Sequence, residues 1–328
     1  IVSDVDCSAA AVFTKNAVKA APIHVDKKHL ADGKARAIIA NSGNANACAP
    51  NGEENAIKMC QAAAKAIGCK PEDVVVSSTG VIGQTLRINV IEEGMPELYA
   101  ALEHSAEASD AAAHAIMTTD MVKKEVAVET TIGGKTVRMG GIAKGSGMIH
   151  PNMGTMLCFL TTDCAISSEM IKTALLETVN VSFNRISVDG DTSTNDTCCV
   201  LANGLAGNEE ICAKGADYDA FLEALKTLCI QISKELAADG EGAKHLITCN
   251  VTGAKDEATA DTIGKSVISS TLTKAAIFGA DANWGRVLCA MGYSGAEFDP
   301  EKVDVHFASV AGDIAVCEKG RGLPFDED

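Results

Sequence analysis

A threonine that directly follows a glycine is the residue of this sequence best suited to acyl-transfer chemistry. Thr155 follows Gly154 at the end of a glycine-rich loop. A threonine hydroxyl is a weak nucleophile, but an N-terminal threonine can use its own α-amine, with a pKa of about 7.7–8.0, as the base. Attack of the Thr155 hydroxyl on the preceding carbonyl would cut the chain and expose that amine, and glycine tolerates the strained backbone this requires. Taken alone, a Gly-Thr pair is a weak signal for this chemistry.

Five further residues carry groups that such a reaction would need. Thr79 and Gly80 lie in a loop after a β-branched run, where backbone N–H groups could point at a ligand. Lys144 and Glu241 carry opposite charges beside glycines, and Thr118 lies in an MTTD run. Each has an ordinary structural interpretation as well: a solvated lysine, a helix-terminal glutamate, or strand and cap threonines. Composition and spacing leave both interpretations open.

Hydrophobic periodicity predicts the elements that would position these residues. Ile57, Cys60, Ala64 and Ile67 recur at helical spacing, and Gly68 suits the end of that helix. The run from Met156 to Asp163, MLCFLTTD, predicts a strand delivered by the glycine-rich loop.

Three more elements follow from the same patterns. The run VVVSSTGVIG, which begins at Val74, predicts a strand that runs into a glycine loop. Apolar residues at helical spacing predict a long helix from about Asp217 to Asp239. Val303, Val305 and Phe307 alternate with polar residues and predict a late strand. Helices and strands therefore alternate along the chain, which indicates an α/β fold.

Composition excludes several classes of function. The net charge of −16 leaves no basic stripe for a nucleic acid or an anionic membrane. We find no signal peptide and no run of about 18 apolar residues, so we expect a cytoplasmic protein. The 13 cysteines form no CxxC pair, so they are interpreted as reduced, small apolar side chains rather than metal or redox sites.

Two other signals are weaker. Asp189, Asp191, Asn195 and Asp196 resemble a calcium loop, but the required glycine position and the bidentate glutamate are missing, so we predict a structural loop and no metal. His150 is interpreted as a hydrogen-bonded bystander, because an N-terminal threonine needs no second base.

Five segments, in order along the chain, carry a resemblance to a known family. The segment KGSGMIHPNMGTML is similar to the self-cleavage segment of the ornithine acetyltransferases, the ArgJ-type proteins. The four other segments that resemble this family are ANSGNANAC, SSTGVIG, VDGDTSTND and AAIFGADANWGR. The similarity runs from Ile1 to Asp328. Two departures stand out: Gly154 replaces the more usual alanine, and His150 occupies a position that is usually small.

The resemblance implies a role for each site residue. It makes Thr155 the nucleophile and Thr79 with Gly80 the pair of oxyanion-hole donors, and it places substrate contacts at Thr118, Lys144, Thr155 and Glu241. We infer that a lysine would meet the carboxylate of an amino-acid substrate and a glutamate would meet the amine of ornithine. The implied substrates are N2-acetylornithine and glutamate. No cofactor is expected, although acetyl-CoA is a possible co-substrate.

The resemblance also implies an architecture. We expect a layered α/β sandwich of the self-cleaving ornithine acetyltransferase type, built jointly by an α segment, 1–154, and a β segment, 155–328. A smaller C-terminal α/β domain would begin at about residue 290. The two segments would stay intertwined after cleavage and pair into an α2β2 tetramer. The chain starts in mid-pattern and stops at PFDED, so we expect truncation at either end.

Two alternatives remain at this stage. A hydrolase of related architecture, an N-terminal-nucleophile aminopeptidase or amidase, would resolve the acyl-enzyme with water instead of glutamate. A homologue that has lost catalysis would bind ligand without cutting itself.

Overall fold

The computed structural model describes residues 1–150 and 156–325, and the chain divides into two compact units, Ile1–Glu241 and Gly242–Asp328. The second unit begins well before residue 290, so the predicted C-terminal domain corresponds to its later part. The division into segments 1–154 and 155–328 depends on cleavage and stays a prediction.

The first unit is built on one large sheet. Its strands are β1 (Val2–Phe13), β2 (Lys34–Asn41), β3 (Val74–Ser78), β4 (Lys124–Ile132), β5 (Lys135–Lys144), β6 (Leu157–Thr162) and β7 (Thr197–Ala202). Within the described residues the strand order is β3-β2-β1-β7-β6-β5-β4. The pairs β2–β3 and β6–β7 are parallel, and the other neighbours are antiparallel. Strands β6 and β7 therefore lie between strands that precede residue 151.

Helices cover both faces of this sheet. They are α1 (Ala21–His29), α2 (Gly52–Ile67), α3 (Ile88–Ala100), α4 (Ala106–Ala115), α5 (Ser168–Val181) and α6 (Ala216–Ala238). Along β6, Cys158 and Leu160 pack in the cluster that contains α5 and α6. Leu157 and Phe159 pack in a second cluster with Ala113 of α4. Because successive side chains of a strand point to opposite faces, this alternation shows that β6 is buried on both sides. The α/β fold class is confirmed.

The predicted elements of this unit correspond closely to the observed ones. Helix α2 ends at Gly68, whose φ of 76° is the left-handed conformation that glycine adopts readily. Helix α6 begins one residue before the predicted Asp217 and ends one residue before Asp239. The apolar stripe of α6 is buried, and burial of such a face supplies most of the stability of an amphipathic helix. In α2, Cys60 and Ala64 of the predicted stripe are buried, but Ile57 is exposed, because the buried face is turned towards Ala56, Met59 and Ala63.

The second unit is smaller. It contains α7 (Glu257–Ser269), α8 (Thr271–Phe278), α9 (Trp284–Gly292), β8 (Val305–Ser309), β9 (Gly312–Glu318) and β10 (Arg321–Gly322). In the described part of this unit the strands form an antiparallel sheet of order β10-β9-β8. The predicted late strand corresponds to β8. In the described stretches of the chain, no helix combines the length and the apolar composition needed to cross a bilayer.

Candidate active site

A cleft of about 670 Å³ in the first unit brings together the predicted site residues that the structure describes. Thr79, Gly80, Thr118, Lys144 and Glu241 all line it. They come from four separate segments of the chain, which only the tertiary fold joins. Gly154 and Thr155 lie outside the described residues. The following residue, Met156, is buried and lines the same cleft.

Thr79 and Gly80 lie directly after the carboxyl end of β3. The Thr79 N–H donates a 3.0 Å hydrogen bond to the carbonyl of Asn41 at the end of β2. Gly80 has a φ of 130°, and a Cβ at this position would lie 2.2 Å from the carbonyl carbon of Gly43. A side chain fits neither the backbone conformation nor the space, so this turn requires glycine.

Asn195 ties the two loops of this region together. Its Nδ2 donates to the carbonyl of Ala45 at 2.6 Å and to the carbonyl of Ser78 at 2.7 Å, and the residue is buried. The sequence placed Asn195 in a structural loop and gave no sign of this role, since its partners lie more than 100 positions away.

Lys144 is the last residue of β5 and points into the cleft among hydroxyl groups. Its Nζ donates to Oγ1 of Thr118 at 2.7 Å and lies 3.3 Å from Oγ1 of Thr79. Burial lowers the pKa of Lys144, while the carboxylate of Asp120 opposes that change. The interpretation of Lys144 as a solvated loop lysine is therefore wrong, because the residue is only 8% exposed.

Glu241 lies just past the end of α6 and is held against the loop that follows β5. Its backbone N–H donates a 3.0 Å hydrogen bond to the carbonyl of Ser146. Its carboxylate lies where a side chain on Gly147 would be, since a Cβ there would come within 2.5 Å of Oε1. The cleft thus offers a cation, Lys144, and an anion, Glu241, to the opposite charges of an amino acid.

Asp196 is a buried acid beside the cleft. Burial raises its pKa well above the usual range, against the opposing effects of Ser193, Thr14 and the charge of Lys144. Among the described residues, its Oδ2 has no hydrogen-bond partner. Raised acid pKa values of this kind cluster at functional sites, although structural burial produces them too.

The acidic loop before β7 is organised by backbone amides. The carboxylate of Asp189 accepts hydrogen bonds from the N–H groups of Met148 at 2.5 Å, Ile149 at 2.9 Å and Asp191 at 2.9 Å. These contacts fit the predicted structural loop. His150 has its Nδ1 3.0 Å from the hydroxyl of Ser187.

A cation, a carboxylate and the hydroxyl groups of two threonines lie in one cleft, and acyl transfer from a charged amino acid can use each of these groups. The model of the ArgJ family matches residues 1–328, and the chain belongs to that family.

Two bacterial relatives are similar to this chain along its whole length. The Arginine biosynthesis bifunctional protein ArgJ 1 of Clostridium acetobutylicum is 49% identical over 329 residues, which cover 100% of this chain and 80% of that protein. The Arginine biosynthesis bifunctional protein ArgJ of Symbiobacterium thermophilum is also 49% identical, with the same coverage.

Two solved structures are similar to parts of the chain. The crystal structure of the ArgJ protein of Bacillus halodurans is 44% identical, with a TM-score of 0.44 over 46% of this chain and 80% of that chain. The ornithine acetyltransferase of Mycobacterium tuberculosis, complexed with ornithine, is 36% identical, with a TM-score of 0.40 over 45% of this chain and 78% of that chain.

Proposed function

We propose that this chain is an acetyltransferase of arginine biosynthesis, which moves the acetyl group of N2-acetylornithine to glutamate through an acetyl ester on Thr155. The observation that carries the proposal is the convergence of Thr79, Gly80, Thr118, Lys144 and Glu241 on one cleft. Membership in the ArgJ family and the names of the relatives support the same activity.

Maturation precedes catalysis. The hydroxyl of Thr155 attacks the carbonyl carbon of Gly154, and the C–N bond breaks as the nitrogen takes up a proton. Water then hydrolyses the resulting ester, which frees both the hydroxyl and the α-amine of Thr155. The cut separates the α segment from the β segment, and we propose that two such pairs form an α2β2 tetramer in the cytoplasm.

Transfer follows a ping-pong course. The α-amine of Thr155 accepts the hydroxyl proton while the oxygen attacks the acetyl carbonyl, and Thr79 with Gly80 donates hydrogen bonds to the oxyanion. Ornithine leaves with a proton on its α-amine, and the α-amine of glutamate then attacks the ester. Lys144 and Thr118 bind the substrate carboxylate, and Glu241 binds the side-chain amine of ornithine. The chemistry uses no metal or resident cofactor, and acetyl-CoA is an alternative acetyl donor.

The first test is the denatured intact mass of freshly purified protein, compared with that of Thr155→Ala. We expect two fragments divided at the Gly154–Thr155 bond in the parent and one uncut chain in the variant. An uncut parent that binds ornithine would identify a binding-only homologue.

Product analysis then distinguishes transfer from hydrolysis. Cut protein with N2-acetylornithine should form N-acetylglutamate only when glutamate is present. Equal release of free acetate with and without glutamate would overturn the transferase proposal in favour of an amidase.

A further inference from the structure

Four charged side chains with little or no exposure to solvent form a cluster that borders the cleft: Asp120, Lys124, Lys144 and Asp239. We call these four residues the charge cluster. Nζ of Lys124 lies 2.6 Å from Oδ1 of Asp120 and also donates a hydrogen bond to Oδ2 of Asp239. Nζ of Lys144 lies 3.7 Å from Oδ2 of Asp120. The side chains of Asp120 and Lys124 are fully inaccessible to solvent. Two positive and two negative charges therefore balance in a region with little access to water, and Asp120 and Lys124 are cut off from it altogether.

Asp120 binds the backbone of Gly145, which follows Lys144, and the backbone of Thr118. Its Oδ1 accepts a 2.6 Å hydrogen bond from the N–H of Gly145, and its Oδ2 accepts a 3.1 Å hydrogen bond from the N–H of Thr118. Thr118 is the residue whose hydroxyl accepts the hydrogen bond from Lys144. One carboxylate thus orients both the ammonium group and its hydroxyl partner.

Asp239 links the same cluster, through Ser146, to the backbone of Glu241. Its Oδ2 accepts hydrogen bonds from the N–H groups of Met121 at 3.0 Å and Val122 at 3.2 Å. Its backbone carbonyl accepts a 2.8 Å hydrogen bond from the hydroxyl of Ser146. The Ser146 carbonyl in turn accepts from the N–H of Glu241.

The charges that act on Lys144 come from several elements. Asp120, in the loop before β4, and Asp196, before β7, favour its charged form, whereas Lys124 of β4 opposes it. Glu241 lines the same cleft after α6. Burial lowers the pKa of Lys144, and the nearby carboxylate of Asp120 opposes that change.

We propose that Asp120 is a positioning residue for acyl transfer: its carboxylate orients Lys144 and Thr118, while Lys124 balances the charge of that carboxylate. The inference rests on the proposed role of Lys144 in binding the substrate carboxylate. A buried ion pair can also be purely structural, so its test needs a measurement that a structural role would not change.

The experiment compares the full chain with Asp120→Asn, Lys124→Met and the double variant. The pH dependence of acylation of Lys144 by acetic anhydride, followed by peptide mass spectrometry, reports the titration of this amine without requiring turnover. Asp120→Asn should lower the titration midpoint by about 1 pH unit or more, because it removes the adjacent negative charge. Lys124→Met should raise it, because it removes a competing positive charge. The double variant should return towards the parent.

Lys135, exposed at the other end of β5, serves as the control amine, and its midpoint should not move. If Asp120→Asn does not fold, the double variant is compared with Lys124→Met, and its midpoint should be the lower of the two. Folded variants whose Lys144 midpoints equal that of the parent would overturn the inference.

The KM for N2-acetylornithine, measured against pH, separates this inference from the proposed function. If both are correct, the pH at which KM begins to rise should move with the Lys144 midpoint, while kcat at saturating substrate changes less. If the labelling midpoints shift and the pH dependence of KM does not change, the inference about Asp120 stands. The proposed role of Lys144 in substrate binding is then wrong.

Discussion

The carboxylate of Glu241 occupies the space that a side chain on Gly147 would fill. A Cβ on Gly147 would lie 2.5 Å from Oε1 and 3.0 Å from Oε2 of Glu241. The contact involves the end of a flexible side chain, and Gly147 does not have a positive φ. An added methyl group would therefore displace the carboxylate at little cost in stability.

Gly147→Ala should accordingly weaken binding of a substrate amine and leave the fold intact. We expect the KM for N2-acetylornithine to rise about tenfold, which corresponds to roughly 1.4 kcal/mol and lies near the lower end for a hydrogen bond to a charged group. Steady-state kinetics and the thermal midpoint check both parts. Gly140→Ala is the control, since the nearest atom to its Cβ is 4.0 Å away. An unchanged KM would remove Glu241 from substrate binding.

The hydroxyl of Thr79 is predicted to donate to the oxyanion. Its oxygen accepts a hydrogen bond from Lys144 at 3.3 Å, which leaves its own proton free to point at a ligand. Thr79→Val keeps the shape and removes this donor, so kcat should fall by about 10²–10³. Thr79→Ser should retain most of the activity. The matched control is Thr131→Val, at an exposed position of β4. A kcat within a factor of about three of the parent would contradict the oxyanion role.

A side chain in the loop after β3 can destabilise the fold in two ways, through the backbone conformation and through a steric clash. Substitutions at Gly80 and Gly83 distinguish the two. Both have positive φ, 130° and 83°, but only the Gly80 position is blocked by neighbouring backbone. Gly83→Ala should lower the free energy of unfolding by about 1 kcal/mol, the cost of the backbone conformation. Gly80→Ala should cost roughly 3 kcal/mol or more, because a clash is added. Urea unfolding measures both, and equal losses would show that the Gly43 contact yields easily.

Asp26 on α1 gives a prediction for stability against pH. The residue is fully buried, and its Oδ1 accepts a hydrogen bond from the N–H of Val76, whereas its Oδ2 has no partner in the part of the chain that the structure describes. Burial raises the pKa of Asp26 well above the usual range. The unfolded chain ionises this acid above a pH of about 3.9, whereas the folded protein resists ionisation, so its contribution to stability is lost as pH rises from that value.

Asp26→Asn should therefore gain stability relative to the parent between pH 4 and pH 7. Each unit by which the folded pKa exceeds the unfolded one contributes about 1.4 kcal/mol to that gain. Urea midpoints at several pH values test it. Asp32→Asn, at an exposed position, is the control substitution. A difference between Asp26→Asn and the parent that does not vary with pH would show that the acid ionises normally.

The sequence was sufficient for the elements whose pattern is local. The helices α2 and α6 have continuous apolar stripes, and Gly68 marks an end that depends only on backbone conformation. Five site residues were also predicted together, because family resemblance preserves the segments that line the cleft. Neither the local pattern nor the resemblance predicts which side chains of distant segments come into contact.

The charge cluster shows why the rest was missed. Lys124 and Asp239 are 115 positions apart, and a lysine at the start of a strand is ordinarily expected at the surface. Asp120 had a weak local signal, as it follows Thr118 by two residues and precedes Lys124 by four. Nothing in that spacing indicates that both side chains are fully buried. Only the pairing of β4 with β5 brings them beside Lys144.

The position of β6 and β7 in the sheet changes what folding would mean for a cut chain. Both strands follow residue 155, yet β7 pairs with β1 and β6 pairs with β5, so each is bonded to a strand of the earlier segment. Before a cut at the predicted bond, unfolding is unimolecular and the chain can find its sheet again. After it, the two pieces must meet in solution to rebuild those pairings, so recovery would slow as the protein is diluted and the unfolding midpoint would depend on concentration. The lifetime of the folded, cut protein would then depend on its rate of unfolding.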